Sequence, residues 1–137
     1  MHSNWLDIAE PEPRDILKKE ISSCELLGET HDNKSIYLYR PNAVQGHTTL
    51  LNEIGRLREE AFRLVGEGTG LARDVDHYDL YYMHIILWDD NDLEIVGAYR
   101  IGNSDFIFKN IGVKGFYSNT IFKYNEDMTP YLKNSIE

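Results

Sequence analysis

Cysteine is nearly absent from this chain. Cys24 is the single one among 137 residues, which excludes an internal disulfide and any zinc site built from several cysteines. Basic residues are also scarce, 14 against 23 acidic ones, for a formal charge of −9. A field of that sign repels phosphate backbones, so nucleic acid is not an expected partner, and broad adhesion to anionic lipid is disfavoured. Long apolar runs are missing too. The longest, "LYYMHIILW", has nine residues and contains a histidine, far short of a bilayer span. The start, "MHSNWLDIAEPEPRD", has neither the basic opening nor the apolar centre of a signal peptide. These absences fit a reduced, cytoplasmic setting.

What is present is globular. Hydrophobic residues make up 42% of the chain and aromatics 12%, enough for one domain burying roughly two-thirds of its unfolded surface. "EPEPRDILKKEISSCELLGE" reads as a helix entered at Pro13 and closed by Gly28, with Cys24 buried on its apolar side. "IYLYRP" reads as a strand stopped by Pro41. From Thr48 to Val65, Leu50, Ile54, Leu57, Ala61 and Leu64 share one helical stripe, and "GEGTG" ends the helix in an exposed, less ordered loop. "LYYMHIILW" and "LEIVGAYRI" read as an antiparallel hairpin joined by "DDND" and bulged at Gly97. The tail suggests a short strand at "SDFIF", a loop at Gly112 and Gly115, a short helix near Phe122 and a strand beginning at "SIE". The predicted class is α+β, a mainly antiparallel sheet flanked by helices.

The densest chemical signal is "ARDVDHYDLYYMH", with three aspartates in six positions: Asp74, Asp76 and Asp79. A calcium loop would need other residues where Tyr78, Asp79 and Ile85 stand, and His77 and His84 lie too far apart for a zinc pair, so no metal is expected. On spacing alone the trio is equally a solvated turn before a strand. The helix upstream carries Arg56, Arg58 and Arg63, and Arg73 follows; if these pair with the aspartates, the fixed carboxylates suit recognition of an ammonium group or removal of its proton. "GEGTG" follows a helix rather than a strand, so it is not a dinucleotide fingerprint. Cys24 has no basic neighbour to activate it.

Taken together, "EIGRLREEAFRLVGEGTG", "DVDHYDLYYMHIILW" and "EIVGAYRIG" resemble the N-acyltransferases of the GNAT superfamily that carry the hemolysin label. The pattern is similar to enzymes that acylate the amine of ornithine or glycine in aminolipid synthesis, and to acyl-homoserine-lactone synthases. It runs Arg58-x-x-x-Phe62, then Asp74-x-Asp76-x-x-Asp79, then Arg100 at the end of a strand, and covers residues 50–137. The tryptophan that lactone synthases place between the motifs is absent, which favours the aminolipid branch. Glu137 looks like the glutamate opening the strand before the superfamily's pyrophosphate loop. The resemblance therefore implies the N-terminal half of such a domain, with residues 1–45 as an entry helix and strand and 46–137 as the acyl-acceptor half.

The implied reaction moves a fatty acyl group from an acyl-CoA or acyl carrier protein thioester to a small amine. It makes Glu137, Asp76 and Asp79 the expected catalytic carboxylates, and Arg58, Phe62, Asp74 and Arg100 the expected substrate contacts. The resemblance implies no tightly bound cofactor, and it places no cofactor-binding residue before the pyrophosphate loop. It leaves open peripheral contact with a membrane and a second acyltransferase domain in a longer protein. The exposed edge of the hairpin is expected to be covered by the tail or by a second copy of the chain. Two other readings share the scaffold: a non-catalytic binding module, and a lactone synthase using an S-adenosylmethionine-type substrate.

Overall fold

The computed structural model describes residues 4–120, 130 and 135–137. Its elements are α1 (Arg14–Ile21), β1 (Glu25–Glu29), β2 (Lys34–Tyr39), α2 (Thr49–Leu64), β3 (Met83–Asp89), β4 (Glu94–Ile101) and α3 (Ser104–Asn110), with short 3-10 turns between them. The four strands form one antiparallel sheet in sequential order, β1-β2-β3-β4. The α+β expectation holds. Among the described residues, no helix is long and apolar enough to cross a membrane.

Helices α1 and α2 pack on one sheet face. Alternation along β3 sends His84, Ile86 and Trp88 toward them, with no exposed surface on any of the three. Leu17, Ile21, Leu50, Leu51 and Ile54 complete that core. Farther along, Tyr78, Tyr82, Ile107 and Phe116 form a second cluster under α3. The β3–β4 hairpin turns as expected, with the Asp89 side chain accepting from Asn91 and Asp92 N–H. The bulge also falls where Gly97 suggested, since Leu87 pairs with Gly97 but Trp88 with Ile95.

Several expectations need correction. The first helix stops at Ile21, not Gly28: the Ser22 and Ser23 hydroxyls bond back to the Lys18 and Glu20 carbonyls and end it. Residues 25–29 become edge strand β1, and Gly28 lies at its irregularity rather than at a helix cap. Cys24 therefore sits in a turn, half-buried, its thiol pushed up to about 11 by burial and then by Glu20. "LYYMHIILW" becomes strand only from Met83, because residues 77–80 wind into a 3-10 turn. "SDFIFKN" is helix α3, not strand; the Asn103 side chain caps it by accepting from Phe106 N–H. The expected helix near Phe122 lies outside the described residues. At the tail, Ile136 bridges Asn103 in antiparallel fashion, a strand-like contact at the place "SIE" suggested.

Candidate functional site

The site starts from a helix glycine. Gly55 sits mid-way along α2, where a Cβ would lie 2.3 Å from Val75 Cγ1 and 3.0 Å from the Asp74 carbonyl oxygen. Its absence lets the segment 74–79 lie directly on the helix, with Asp74 N–H donating to the Gly55 carbonyl at 2.9 Å. That contact delivers the aspartates to Arg58, one turn farther along α2.

Asp76 and Asp79 build their own turn. The Asp76 side chain accepts from Asp79 N–H at 3.2 Å, and the Asp79 side chain accepts from Asp76 N–H at 2.9 Å. This reciprocal box fixes both carboxylates before any arginine arrives. Arg58 then donates to both Asp79 oxygens, at 3.4 and 3.3 Å, and to the Asp74 carbonyl at 2.9 Å. Arg100, reaching from β4, bonds Asp76 at 2.8 Å and Asp79 at 3.2 Å through one nitrogen. Arg58, Asp76, Asp79 and Arg100 thus converge in one cluster.

Their surroundings differ from a solvated turn. The Asp79 side chain is only 2% exposed. Burial alone would raise its carboxyl, but the Arg58 charge, the Asp76 N–H and Arg100 together hold it below the ordinary range. Burial likewise works against the Arg100 charge, and the hydrogen bond and charge of Asp76 more than restore it. The rings of Tyr78, Tyr82 and Tyr117 surround the Arg100 guanidinium at 5.7, 5.4 and 5.2 Å. The arginines beside Arg58 do not join this cluster. Arg56 pairs with Glu53 and Glu60, Arg63 with Glu59, and Arg73 with Glu12.

The cluster closes one end of a cleft of about 790 Å³ between α2 and β4. Leu57, Ala61, Phe62 and Leu64 line it from the helix, and Ile95 to Tyr99 line it from the strand. The C-terminal half of the α2 apolar stripe therefore faces a cleft rather than the core; Leu64 is 84% exposed. Phe62 stands on the cleft wall, and Asp74 lines it near the arginines. Glu137 lies behind the tyrosine cage. Its carboxylate accepts from the Tyr82 hydroxyl, from Tyr117 N–H at 2.7 Å and from Ser118 N–H at 2.8 Å.

Two residues of the site were not among the expected catalytic or substrate-contact residues. His84 has no exposed surface and lines the same cleft; its Nε2 meets the Asp79 carbonyl at 3.2 Å while Nδ1 is buried without a partner. Burial lowers its pKa, against the opposing pull of Asp79. Its position opposite Arg100 in the hairpin register was the available signal. Glu59, also fully buried, collects Thr69 N–H, the Thr69 hydroxyl, Gly70 N–H and Arg63. It ties down the "GEGTG" loop. Gly66 does stop α2 as expected, at positive φ with Glu67 N–H bonded to the Phe62 carbonyl. Beyond it, however, Gly70 is buried beneath Trp5, and within residues 67–74 only Glu67, Thr69 and Leu71 are exposed.

Sequence comparison settles the family. Residues 57–137, more than half of the chain, match the Acetyltransferase (GNAT) domain. The chain belongs to the GNAT family. Within it, the chain is 34% identical to a protein named Glycine N(alpha)-acyltransferase from Bacteroides thetaiotaomicron, with 96% of this chain aligned to 40% of that one. A protein of the same name from Phocaeicola vulgatus is also 34% identical, over 96% of this chain and 41% of its own length. The GNAT chain described here thus spans about two-fifths of the length of these curated relatives. No solved structure matches it.

Proposed function

We propose that this chain forms the acyl-acceptor part of an N-acyltransferase, which moves a fatty acyl group from a thioester to the amine of a small amino acid. The observation that carries this reading is the Arg58–Asp79–Arg100–Asp76 cluster closing one end of an apolar-walled cleft in a GNAT chain. An amino acid needs a cationic partner for its carboxylate, and an acyl chain needs an apolar wall. Here Arg58 and Arg100 supply the first, and Phe62 with Leu57 and Ala61 supplies the second.

In this reading Asp76 and Asp79 orient the arginines and help to attract the substrate ammonium. Glu137, engaged by three donors, holds the tyrosine cage behind Arg100. The free amine attacks the thioester carbonyl, and the sulfur departs as a thiol. Glycine is favoured over ornithine as acceptor, because both relatives are named for glycine. Acyl-CoA and acyl carrier protein remain the two thioester carriers to compare.

The test is product analysis by mass spectrometry with the full gene product containing this chain. Palmitoyl-CoA and palmitoyl carrier protein would each be offered with glycine and with ornithine. The reading expects N-palmitoylglycine from at least one carrier. No amide with either amine would refute it.

A further inference from the structure

The carboxylates around the cleft are of two kinds. Asp79 shares its oxygens among Arg58, Arg100 and the Asp76 N–H, and Asp76 is held by Arg100 and the Asp79 N–H. Glu137 is anchored by Tyr82, Tyr117 and Ser118, Glu59 by Thr69, Gly70 and Arg63, and Glu60, on the cleft wall, pairs with Arg56. Each of these is used by the protein itself.

Asp74 is different. Its backbone is clamped at both ends, N–H to the Gly55 carbonyl and C=O to Arg58, each at 2.9 Å. Its carboxylate, half-buried in the cleft wall, accepts no hydrogen bond and joins no ion pair among the described residues. A rigid backbone thus presents an unused acid to the space where a substrate would lie. In the same cleft the buried Nδ1 of His84 has no protein donor, a second acceptor without a partner.

We propose that Asp74 is the general base that takes the proton from the substrate ammonium, an assignment that rests on the acyl-transfer reading above. The carboxylate accepts one proton from R–NH3+, giving the free amine and a neutral Asp74. The amine lone pair attacks the thioester carbonyl carbon, the C–S bond breaks, and the amide forms. The second amine proton ends on the departing sulfur, which leaves as a thiol, and Asp74 returns its proton to solvent. The surroundings suit the task. Burial raises the Asp74 carboxyl above the ordinary range; Arg58 opposes the rise, and Asp76, Glu59 and Asp79 reinforce it. A base shifted in that direction is better matched to an ammonium proton.

The experiment is the pH dependence of kcat/KM for acyl transfer to glycine by the full gene product, compared with Asp74→Asn, Asp74→Glu and Glu137→Gln. The wild-type profile should fall on the acid side as Asp74 protonates. Asp74→Asn should lose about 10²–10⁴-fold near neutral pH, the usual contribution of a general base. That deficit should shrink about tenfold per pH unit as solvent deprotonates the amine instead. Asp74→Glu should keep the acid limb, and so should Glu137→Gln. A readout without mutation guards against misfolding: the wild-type acid limb should stay in place when serine, which keeps the carboxylate but carries a more acidic ammonium, replaces glycine. A limb that moves with the amine, an Asp74→Asn deficit constant across pH, or loss of the limb in Glu137→Gln alone would each overturn the assignment. If the wild type acylates no amine, the transfer reading fails and takes this one with it. Transfer by Asp74→Asn at the wild-type rate would overturn the assignment alone.

Discussion

Asp79 shows how burial changes the value of an ion pair. A partly exposed cluster would contribute about 0–1 kcal/mol per pair. With its side chain almost fully buried and two guanidinium partners, Asp79 is instead a group whose removal strands charge in the interior. Asp79→Asn is expected to destabilise the fold by about 3–5 kcal/mol, read by urea unfolding. The pH dependence follows from the sign of its shift. A carboxyl depressed in the folded state contributes stability that is fully present above its unfolded value, about 3.9, and is lost as pH falls through the folded value. Acid titration of the melting temperature should therefore show a loss below about pH 4 that Asp79→Asn flattens. Asp74 has the opposite sign, because its raised carboxyl favours the protonated folded state. Asp74→Asn should leave the melting temperature at neutral pH unchanged or slightly higher, so a loss of turnover there would not be a loss of fold.

At the scale of elements, the site depends on how closely segment 74–79 lies on α2. Gly55→Ala adds helix propensity worth about 1 kcal/mol but forces Val75 and the Asp74 carbonyl away. The expected net result is destabilisation of about 1–3 kcal/mol, with turnover falling further because Asp74 moves. Much of this arrangement was legible beforehand. Helix α2, its glycine stop and the hairpin with its bulge follow from periodicity and turn composition, while the Arg58, Asp76, Asp79 and Arg100 set is what the family resemblance implies. Other elements were hidden by competing signals. "ELLGE" continues an apolar helical pattern, and only the paired serines before it end the helix. "SDFIFKN" has strand composition, and its Asn103 cap decides otherwise. The Asp76-x-x-Asp79 spacing is itself that of a capping box, and read so it predicts the 3-10 turn. Glu59 shows a limit of another kind, since one glutamate among the charges of a helix gives no sign that it is buried. Glu59→Gln should loosen the loop it ties down, seen as faster amide hydrogen exchange at Thr69 and Gly70 with α2 protection retained.

At the scale of the whole molecule, one sheet face is covered by α1 and α2, and the cleft opens between α2 and β4. The edge of β4 was expected to be covered by the tail or by a second copy. Among the described residues the tail meets that end of β4, where Gly102 and Glu137 exchange backbone hydrogen bonds and Tyr117 packs on Arg100, while Tyr99 stays 78% exposed. In the proposed function the arginine–aspartate cluster serves chemistry and not merely the fold. Asp76 separates the two, because its carboxylate is half-exposed to the cleft and pairs with a single arginine. The deciding measurement is turnover and melting temperature side by side for Asp76→Asn in the full gene product, with palmitoyl-CoA and glycine as substrates. Turnover is expected to fall by about 10²-fold or more beside a stability loss within about 1–2 kcal/mol. Turnover that falls only in proportion to the folded fraction would contradict that expectation.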